Sequence, residues 1–438
     1  MQRRTDEFCD GVNRRALIKA GLTGFAGVSL PQLLQLRAEG SEPRKDTAVI
    51  YLELAGGPTQ HETYDPKPHA PSEYRGPLSV VQTNVPGVEL SEFMKEQARI
   101  MDKLVVLRAV HHDSGSHGTS AHLTQTGYYL RDRQSRENTM PCIGSLSARV
   151  RGANRAGVPP FVSIPKSMRF GRSAWLGKGF NPFDTIASAD SKKFSIPNLT
   201  LVRGLTQERL ASRKSLLTGF DEARRIIDNG GVAEASDRYT REAFEMVTND
   251  AARKAFDIAA EPDSIRDRFG RNSLGQNLLL ARRLVESGVT FVSVRCNTLG
   301  SWDDHRGIAQ RMKTKGPAFD QGVAALVSDL HERGLAERIM VVAMGEFGRT
   351  PRVNKNAGRD HWGRVMSVLL AGGQLRTGQV IGASDSKGAS PIQQPYRPEN
   401  ILATLYRHLG IDPAITFTDS SGRPRFLLEE REPVQELL

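Results

Sequence analysis

Short runs of apolar, mostly β-branched residues recur along the chain and alternate with helical patterns. The runs cover residues 48–54, 104–110, 161–164, 289–296, 339–344 and 365–371. Runs that are apolar almost throughout are typical of parallel strands buried on both faces. Helical spacing of apolar residues lies between them, at 92–101, 142–151, 274–287, 318–333 and 399–409. The alternation predicts an α/β fold in which helices sandwich a mainly parallel, twisted sheet.

The N-terminal segment differs from the rest of the chain. Arg14 and Arg15 are followed by residues 20–36, an uncharged stretch rich in Gly and Leu. A basic start followed by a modest apolar stretch is the layout of an export signal, and the paired arginines resemble a twin-arginine signal. We therefore predict that residues 1–45 are a signal and linker for the twin-arginine translocation machinery, and that the exported protein is periplasmic or extracytoplasmic. An amphipathic N-terminal helix of a cytoplasmic protein is the alternative.

The remaining residues, 46–438, are predicted to form one α/β domain. Residues 205–262 interrupt the alternation because they are polar, charged and helical in pattern, which indicates a helical insertion. It could cover a cleft or be a surface decoration without a role. No apolar run reaches the ~18 residues of a spanning helix, so no transmembrane segment is expected in the mature chain.

The chain carries 60 Lys and Arg against 49 Asp and Glu, a net charge of +11. A positive cleft would concentrate phosphate, sulfate or carboxylate ligands, although a diffusely basic surface gives the same count. Nucleic-acid binding is not expected, because no basic run is interleaved with aromatic residues. Cys142 and Cys296 have no metal-binding spacing and are predicted to be buried thiols, with one disulfide as the alternative.

Residues suited to metal chemistry follow several of the predicted strands. In open α/β sheets, ligands bind beyond the carboxyl ends of the strands. Seven of the ten histidines lie in such positions, namely His61, His111, His112, His117, His122, His305 and His361. Imidazole and carboxylate together suit zinc, iron or manganese, whereas oxygen-only ligand sets suit magnesium or calcium. Arg349 and Arg359 could donate to a phosphate or sulfate oxyanion. For any single residue, a surface, capping or structural role is the ordinary alternative.

Several motifs together resemble the bacterial family catalogued as domain of unknown function 1501. They are GGPTQHETYDPKP, SHGTSAHLTQTGY, GQNLLLARRLVESGV, WDDH, GEFGRTP and GRDHW. The resemblance covers nearly the whole chain. That family is placed in the alkaline phosphatase–sulfatase superfamily, so the resemblance implies a sheet sandwiched by helices and a cleft that holds two metal ions.

The resemblance also suggests roles for individual residues. Residues 117–127 are similar to the sulfatase signature, in which the nucleophile is followed nine positions later by Thr-Gly. His117 stands at that position, where sulfatases have a modified Cys or Ser and phosphatases have Ser or Thr. Glu346 and Phe347 stand where related enzymes commonly have the ligands Asp and His. Asp303 and His305 look like an Asp/His ligand pair, and His361 looks like the late His ligand.

We therefore expect a metal-dependent hydrolase that acts on phosphate or sulfate esters, in small molecules or in polysaccharides. Its cofactor would be one or two divalent ions of zinc, manganese, iron, calcium or magnesium. The predicted ligands are His61, Glu62, Asp65, Asp303, His305, Glu346 and His361. His117 would be a further ligand, a general base or a nucleophile. The other predicted catalytic residues are Ser116, Thr119, Ser120 and Arg349. A non-catalytic, metal-containing protein that binds anionic glycans is the alternative, since the nucleophile and the Asp-His turn are replaced.

Overall fold

The computed structural model describes residues 46–438 except 131, 133, 192, 193, 195 and 197–249. The predicted signal and linker, and residues 205–249 of the predicted insertion, therefore lie outside the described residues. The strands are β1 (Ala48–Glu53), β2 (Val80–Gln82), β3 (Glu89–Ser91), β4 (Leu104–Val110), β5 (Phe161–Ile164), β6 (Phe183–Asp184), β7 (Phe291–Arg295), β8 (Ile339–Met344), β9 (Gly348–Arg349), β10 (His361–Trp362), β11 (Met366–Gly372), β12 (Gln379–Ile381), β13 (Ala383–Ser384), β14 (Pro391–Gln393), β15 (Thr416–Thr418) and β16 (Pro424–Phe426). The α-helices are α1 (Ser72–Arg75), α2 (Lys95–Ala98), α3 (His117–Thr126), α4 (Ile143–Val150), α5 (Asp250–Phe256), α6 (Asp263–Phe269), α7 (Ser273–Ser287), α8 (Ile308–Glu332) and α9 (Pro398–His408).

Eight of the strands in this described part form one sheet, in the order β12-β4-β11-β8-β1-β7-β5-β6. Strand β1 is central and pairs in parallel with β7 and β8. Strands β5, β6 and β12 also run parallel to their neighbours, so the mainly parallel sheet is confirmed. Strand β11 is antiparallel to both β4 and β8. The prediction of a parallel strand at 365–371 is therefore wrong in direction, and the start of β11 lies at the edge where its neighbours β4 and β8 end.

Apolar side chains cover both faces of the sheet. In β1, Ile50 and Leu52 belong to one buried cluster, whereas Val49 and Tyr51 belong to a second. Helices α7 and α8 pack into the first cluster, and α4 and α9 into the second. Successive side chains of a strand point to opposite faces, so this division shows helices on both sides of the sheet. The predicted α/β sandwich is confirmed.

Several helices differ from the sequence prediction. The helix predicted at 92–101 is reduced to α2, which covers four residues. Helix α8 begins at Ile308, although the pattern predicted a start at 318, and Pro317 lies inside it. Helix α3 was not predicted, because almost every residue from Gly118 to Thr126 is buried and no amphipathic period marks it. Gly127 ends α3 with a left-handed φ of 77°, which glycine adopts without steric cost.

Within the described residues, no helix is both long enough and apolar enough to cross a bilayer. Cys142 and Cys296 are buried free thiols. They are placed as predicted, and the alternative of a disulfide between them is not observed.

Candidate metal centre

Four ionisable side chains from distant parts of the sequence meet beyond the carboxyl end of the sheet. His117 begins α3 after β4, and Asp303 follows β7. Glu346 lies two residues past β8, and His361 opens β10, just before the reversed strand β11. Because β11 is antiparallel, a residue ahead of it arrives at the same edge as residues that follow β4 and β8.

Three imidazoles direct their Nε2 atoms at the carboxylate of Asp303. The Nε2 atoms of His117, His305 and His361 lie 3.3, 3.0 and 3.1 Å from its oxygens. The Nε2 atoms of His305 and His361 are 3.0 Å apart. One potential ligand atom from each of His117, Asp303 and His361 lies within 4.8 Å of the others. We call Asp303, His117, His305 and His361 the Asp303 cluster.

The Nδ1 atom of each of these imidazoles is held from the opposite side. The partners are Glu346 Oε1 at 2.6 Å for His117, Asp360 Oδ1 at 2.7 Å for His305, and the Gly115 carbonyl oxygen at 2.9 Å for His361. An Nδ1–H donated to an oxygen fixes the ring and leaves the Nε2 lone pair free. Histidine ligands of protein-bound metals have this second hydrogen bond almost without exception.

Charge at the cluster is set by the neighbours of each group. Burial acts to raise the pKa of Asp303, but the hydrogen bond and charge of Arg349 outweigh it and hold that pKa well below its usual range. The hydrogen bond to Glu346 raises the pKa of His117. Burial lowers the pKa of His361, and the charge of His117 adds to that effect. The cluster therefore contains a stable carboxylate and at least one imidazole that favours its neutral form.

The glycine turn after β1 positions Glu346. The amide of Gly56 donates to both carboxylate oxygens of Glu346, at 2.9 and 3.0 Å. Gly56 has a φ of 111°, and a Cβ atom there would collide with the backbone nitrogen of Asp303. Only glycine fits this close approach, so the turn ties the end of β1 to Glu346 and to Asp303.

His112 joins two segments of the site, although the sequence analysis assigned it no individual role. It is fully buried, and its Nε2 lies 2.7 Å from the backbone oxygen of Glu346. The amide of Ser114 donates to its Nδ1 at 3.1 Å. Burial lowers the pKa of His112 to about 4, so the ring is neutral and can donate and accept at the same time.

Phe347 takes the place that the resemblance gives to a histidine ligand. Its ring is fully buried and lies 5.0 Å from the ring of His117 and 4.5 Å from that of His361, between centroids. It therefore packs the two imidazoles and has no atom that binds metal.

The predicted ligands of the first strand end are not brought to the Asp303 cluster. Glu62 is fully buried and pairs with the guanidinium of Arg359, with Nη2 at 2.8 Å from Oε1. The hydroxyl of Thr59 also donates to Glu62, at 2.5 Å. Its carboxylate oxygens are thus already bound by the protein.

Asp65 and His61 contact the segment that carries β13 and the turn after it. Asp65 accepts a hydrogen bond from Ser384 and lies 2.9 Å from the ammonium of Lys67. The Nε2 of His61 lies 2.9 Å from the carbonyl oxygen of Lys387, and burial lowers the pKa of His61. Together with Glu62, these residues form what we call the first-strand group.

Both arginines that were predicted to contact an anionic ester are fully buried. Arg349 donates to Asp303 at 2.5 Å and to the carbonyl oxygens of Gly57 and Arg359 at 2.9 and 3.1 Å. Arg359 donates to Glu62 and to the carbonyl oxygens of Thr350 and Tyr74. In this structure both guanidiniums organise loops, and neither presents a donor to the cleft.

The predicted hydroxyl candidates lie at the start of α3. Ser116 is half-buried and is the residue before His117. Ser120 is fully buried and donates to the carbonyl oxygen of Ser114 at 3.2 Å. The hydroxyl of Thr119 is buried without a hydrogen-bond partner among the described residues.

One residue of the site was missed by the sequence analysis, and one histidine that it counted lies elsewhere. Asp360, the partner of His305, directly precedes His361 in the GRDHW motif, so its position could have marked it. His122 was counted with the strand-end histidines but lies in α3, with Nδ1 2.6 Å from the Tyr128 carbonyl oxygen, and it is not part of the cluster.

A family model described as "Protein of unknown function (DUF1501)" matches residues 46–438. No curated protein matches the chain. Among solved structures, the chain is similar to PsFucS1 sulfatase from Pseudoalteromonas sp., with 10% identity over 86% of this chain and 70% of that one and a TM-score of 0.36. It is also similar to alkaline phosphatase from the Antarctic bacterium TAB5, with 10% identity over 84% of this chain and 99% of that one and a TM-score of 0.36. Scores of this size describe a loose likeness of fold, so the chemistry is judged from the side chains of this chain.

Proposed function

The chain belongs to the DUF1501 family, and from that premise we propose that it is a metal-dependent hydrolase of phosphate or sulfate esters. One observation carries the proposal. Three imidazole Nε2 atoms converge on the Asp303 carboxylate, while the three Nδ1 atoms are held by Glu346, Asp360 and a backbone carbonyl. This donor set suits zinc, iron or manganese.

The residues present fit one divalent ion. His117, Asp303 and His361 would hold it, with His305 beside them. When bound, such an ion supplies a Lewis acid for an ester oxygen. We propose one ion and not two, because the first-strand group is committed to other partners.

The side chains around the cluster prepare it for binding. Glu346 fixes the ring of His117, and the Gly56 amide fixes Glu346. Arg349 keeps Asp303 ionised, so that the carboxylate is ready to accept a cation. Groups held in place before a ligand arrives need no reorganisation when it binds.

A second function, a non-catalytic metal-containing protein that binds anionic glycans, is favoured by one specific observation. Arg349 and Arg359 were expected to hold an oxyanion. Both are buried, and their guanidiniums are hydrogen-bonded to protein oxygens. A hydrolase of this kind usually needs donors for the charge that develops on the ester.

Metal analysis combined with a panel of aryl phosphates and aryl sulfates separates these functions. For the hydrolase, the purified protein contains stoichiometric metal and turns over at least one ester, and Asp303→Ala and His117→Ala abolish both. His111→Ala, a strand-end histidine outside the cluster, is the matched control and leaves both unchanged. Stoichiometric metal with no turnover and tight glycan binding supports the second function, and protein without metal contradicts both.

We also propose that the protein acts outside the cytoplasm, with residues 1–45 as a twin-arginine signal and linker and residues 46–438 as one domain that carries an insertion at 205–262. Arg14, Arg15 and the apolar stretch after them support this. A fusion of residues 1–45 to a reporter should be exported, and replacing both arginines by lysine should stop export. Export that continues after that replacement would contradict the twin-arginine route.

A further inference from the structure

A cavity of about 280 Å³ opens beside the Asp303 cluster. His361, whose Nε2 lies 3.1 Å from Asp303, is one of the residues that line it. The other side chains that matter here are Trp362, Arg364, Asp113 and His112. Cavities of roughly 300–1,000 Å³ hold drug-sized ligands, so this one has room for a single ring. A group bound in it would lie directly against the cluster.

Trp362 provides a fixed flat surface in the cavity. Its Nε1 donates to the Ala389 carbonyl oxygen at 2.8 Å, and its backbone pairs with Gly348 in the β9–β10 hairpin. The indole is half-buried and lines the cavity. An aromatic face held in this way offers a large apolar contact at little entropic cost, and it suits the C–H face of a sugar ring.

Arg364 adds a positive charge beside this surface. The guanidinium lies 5.9 Å from the centroid of the Trp362 ring, and the residue is exposed. Among the described residues, no carboxylate lies within ion-pair distance of it. Asp113, which is also exposed, offers acceptors for hydroxyl groups.

We propose that this cavity, the Trp362 pocket, binds the sugar ring of an acidic saccharide whose phosphate or sulfate ester reaches the Asp303 cluster. The ring stacks on Trp362, its hydroxyls face Asp113, and a second acidic group on the sugar pairs with Arg364. This inference rests on the proposed hydrolase function. Hydrolysis would break the bond from sulfur or phosphorus to the ester oxygen, with water giving its hydroxyl to the acid and a proton to the sugar oxygen.

Equilibrium binding of two small probes to the full chain tests the pocket without any turnover. Methyl β-glucuronide carries a carboxylate, and methyl β-glucoside is its neutral counterpart; neither has an ester to cleave. Ligand-observed NMR titration should show that the wild-type protein binds the glucuronide about fivefold more tightly. Trp362→Leu should weaken glucuronide binding about tenfold.

Arg364→Gln should remove the preference for the glucuronide and leave the affinity for the glucoside unchanged. This variant alters one exposed side chain, so it tests the pocket even if Trp362→Leu does not fold. Arg352→Gln is the matched control, since Arg352 is an exposed arginine of the β9–β10 connection that does not line the cavity. Equal affinity of the wild type for both probes overturns the proposal, and so does a preference that Arg364→Gln leaves intact.

The failures of the two proposals are distinguishable. Turnover of aryl esters with no sugar binding at Trp362 rejects the pocket and leaves the hydrolase standing. Binding that depends on Trp362 and Arg364, with no turnover of any ester, rejects the hydrolase and leaves an acidic-saccharide site.

Discussion

The Asp303 cluster and the first-strand group contain the same residue types at the same edge of the sheet, yet they differ in what their side chains can still bind. Glu62 is completely buried, and the Arg359 guanidinium takes its oxygens. The Asp303 side chain is 32% exposed and faces three imidazoles as well as Arg349. Histidines and carboxylates after a strand thus predict where a site lies. Both carboxylates contact a buried arginine, so what separates them is that Glu62 is fully buried whereas Asp303 stays partly exposed and faces imidazoles.

The comparison is tested most severely at Arg359. Arg359→Met should leave Glu62 as an uncompensated buried charge and lower the free energy of unfolding by about 3–5 kcal/mol, measured by urea denaturation. The double variant Arg359→Met/Glu62→Gln should regain part of the loss. A change below about 1 kcal/mol in the single variant would show that the first-strand group is not held by this pair.

The next largest effect is expected at Asp303 itself. If the proposed metal site is right, Asp303→Asn should weaken metal binding and turnover by more than about a hundredfold, because it removes the only anionic group of the proposed ligand set. Titration with zinc and assays with the aryl ester panel measure this. The contrasting variant Asp65→Asn, in the first-strand group, should keep the wild-type metal affinity. Equal losses in both variants would erase the distinction between the two regions.

Glu346→Gln, beside the Asp303 cluster, sharpens the comparison further. The variant keeps the size of the side chain but weakens the hold on Nδ1 of His117, so the metal affinity should fall about 10–100-fold. The same zinc titration reads this out. An affinity unchanged from wild type would mean that Glu346 supports the fold alone.

The smallest effect is the contribution of His61, in the first-strand group, to the pH dependence of stability. The folded-state pKa of His61 lies well below 6.5, so the folded protein binds fewer protons than the unfolded chain, and stability is lost as pH falls below the unfolded value. His61→Gln should flatten this slope below pH ~6.5, by at most about 1.4 kcal/mol per pH unit. His69→Gln, at an exposed histidine close to His61 in sequence, is the matched control and should leave the slope as in the wild type. A slope identical in wild type and His61→Gln would contradict the assignment.

Much of the fold could be predicted from the pattern of apolar residues. Strands β4, β5 and β8 have the predicted bounds, and α7 begins within one residue of the prediction. Two things could not be predicted from periodicity. The direction of β11 does not affect which of its residues are apolar, and α3 is buried on nearly all sides and so has no polar face to mark it.

The candidate site was predicted in part. The structure brings His117, Asp303, His305, Glu346 and His361 together, as the strand-end argument expected. It does not bring in the first-strand group, because Glu62 meets Arg359 from 297 positions away. Such a pairing has no local signal. The burial of Arg349 is likewise a long-range property, since its partners after β1 and β7 are remote in sequence.

The reversal of β11 also bears on how the protein folds. Glu346 follows β8, and His361 precedes β11. These two strands are neighbours in the main sheet and follow one another along the chain within it, so closing one short loop brings both residues to the same edge. His117 and Asp303 are 186 positions apart and meet only when the distant parts of the sheet have docked. Closing a longer loop costs more entropy and slows folding. We therefore expect Glu346 and His361 to come together early, and His117 and Asp303 to meet later. Capture of zinc during refolding should therefore track completion of the native sheet and not its first hairpin.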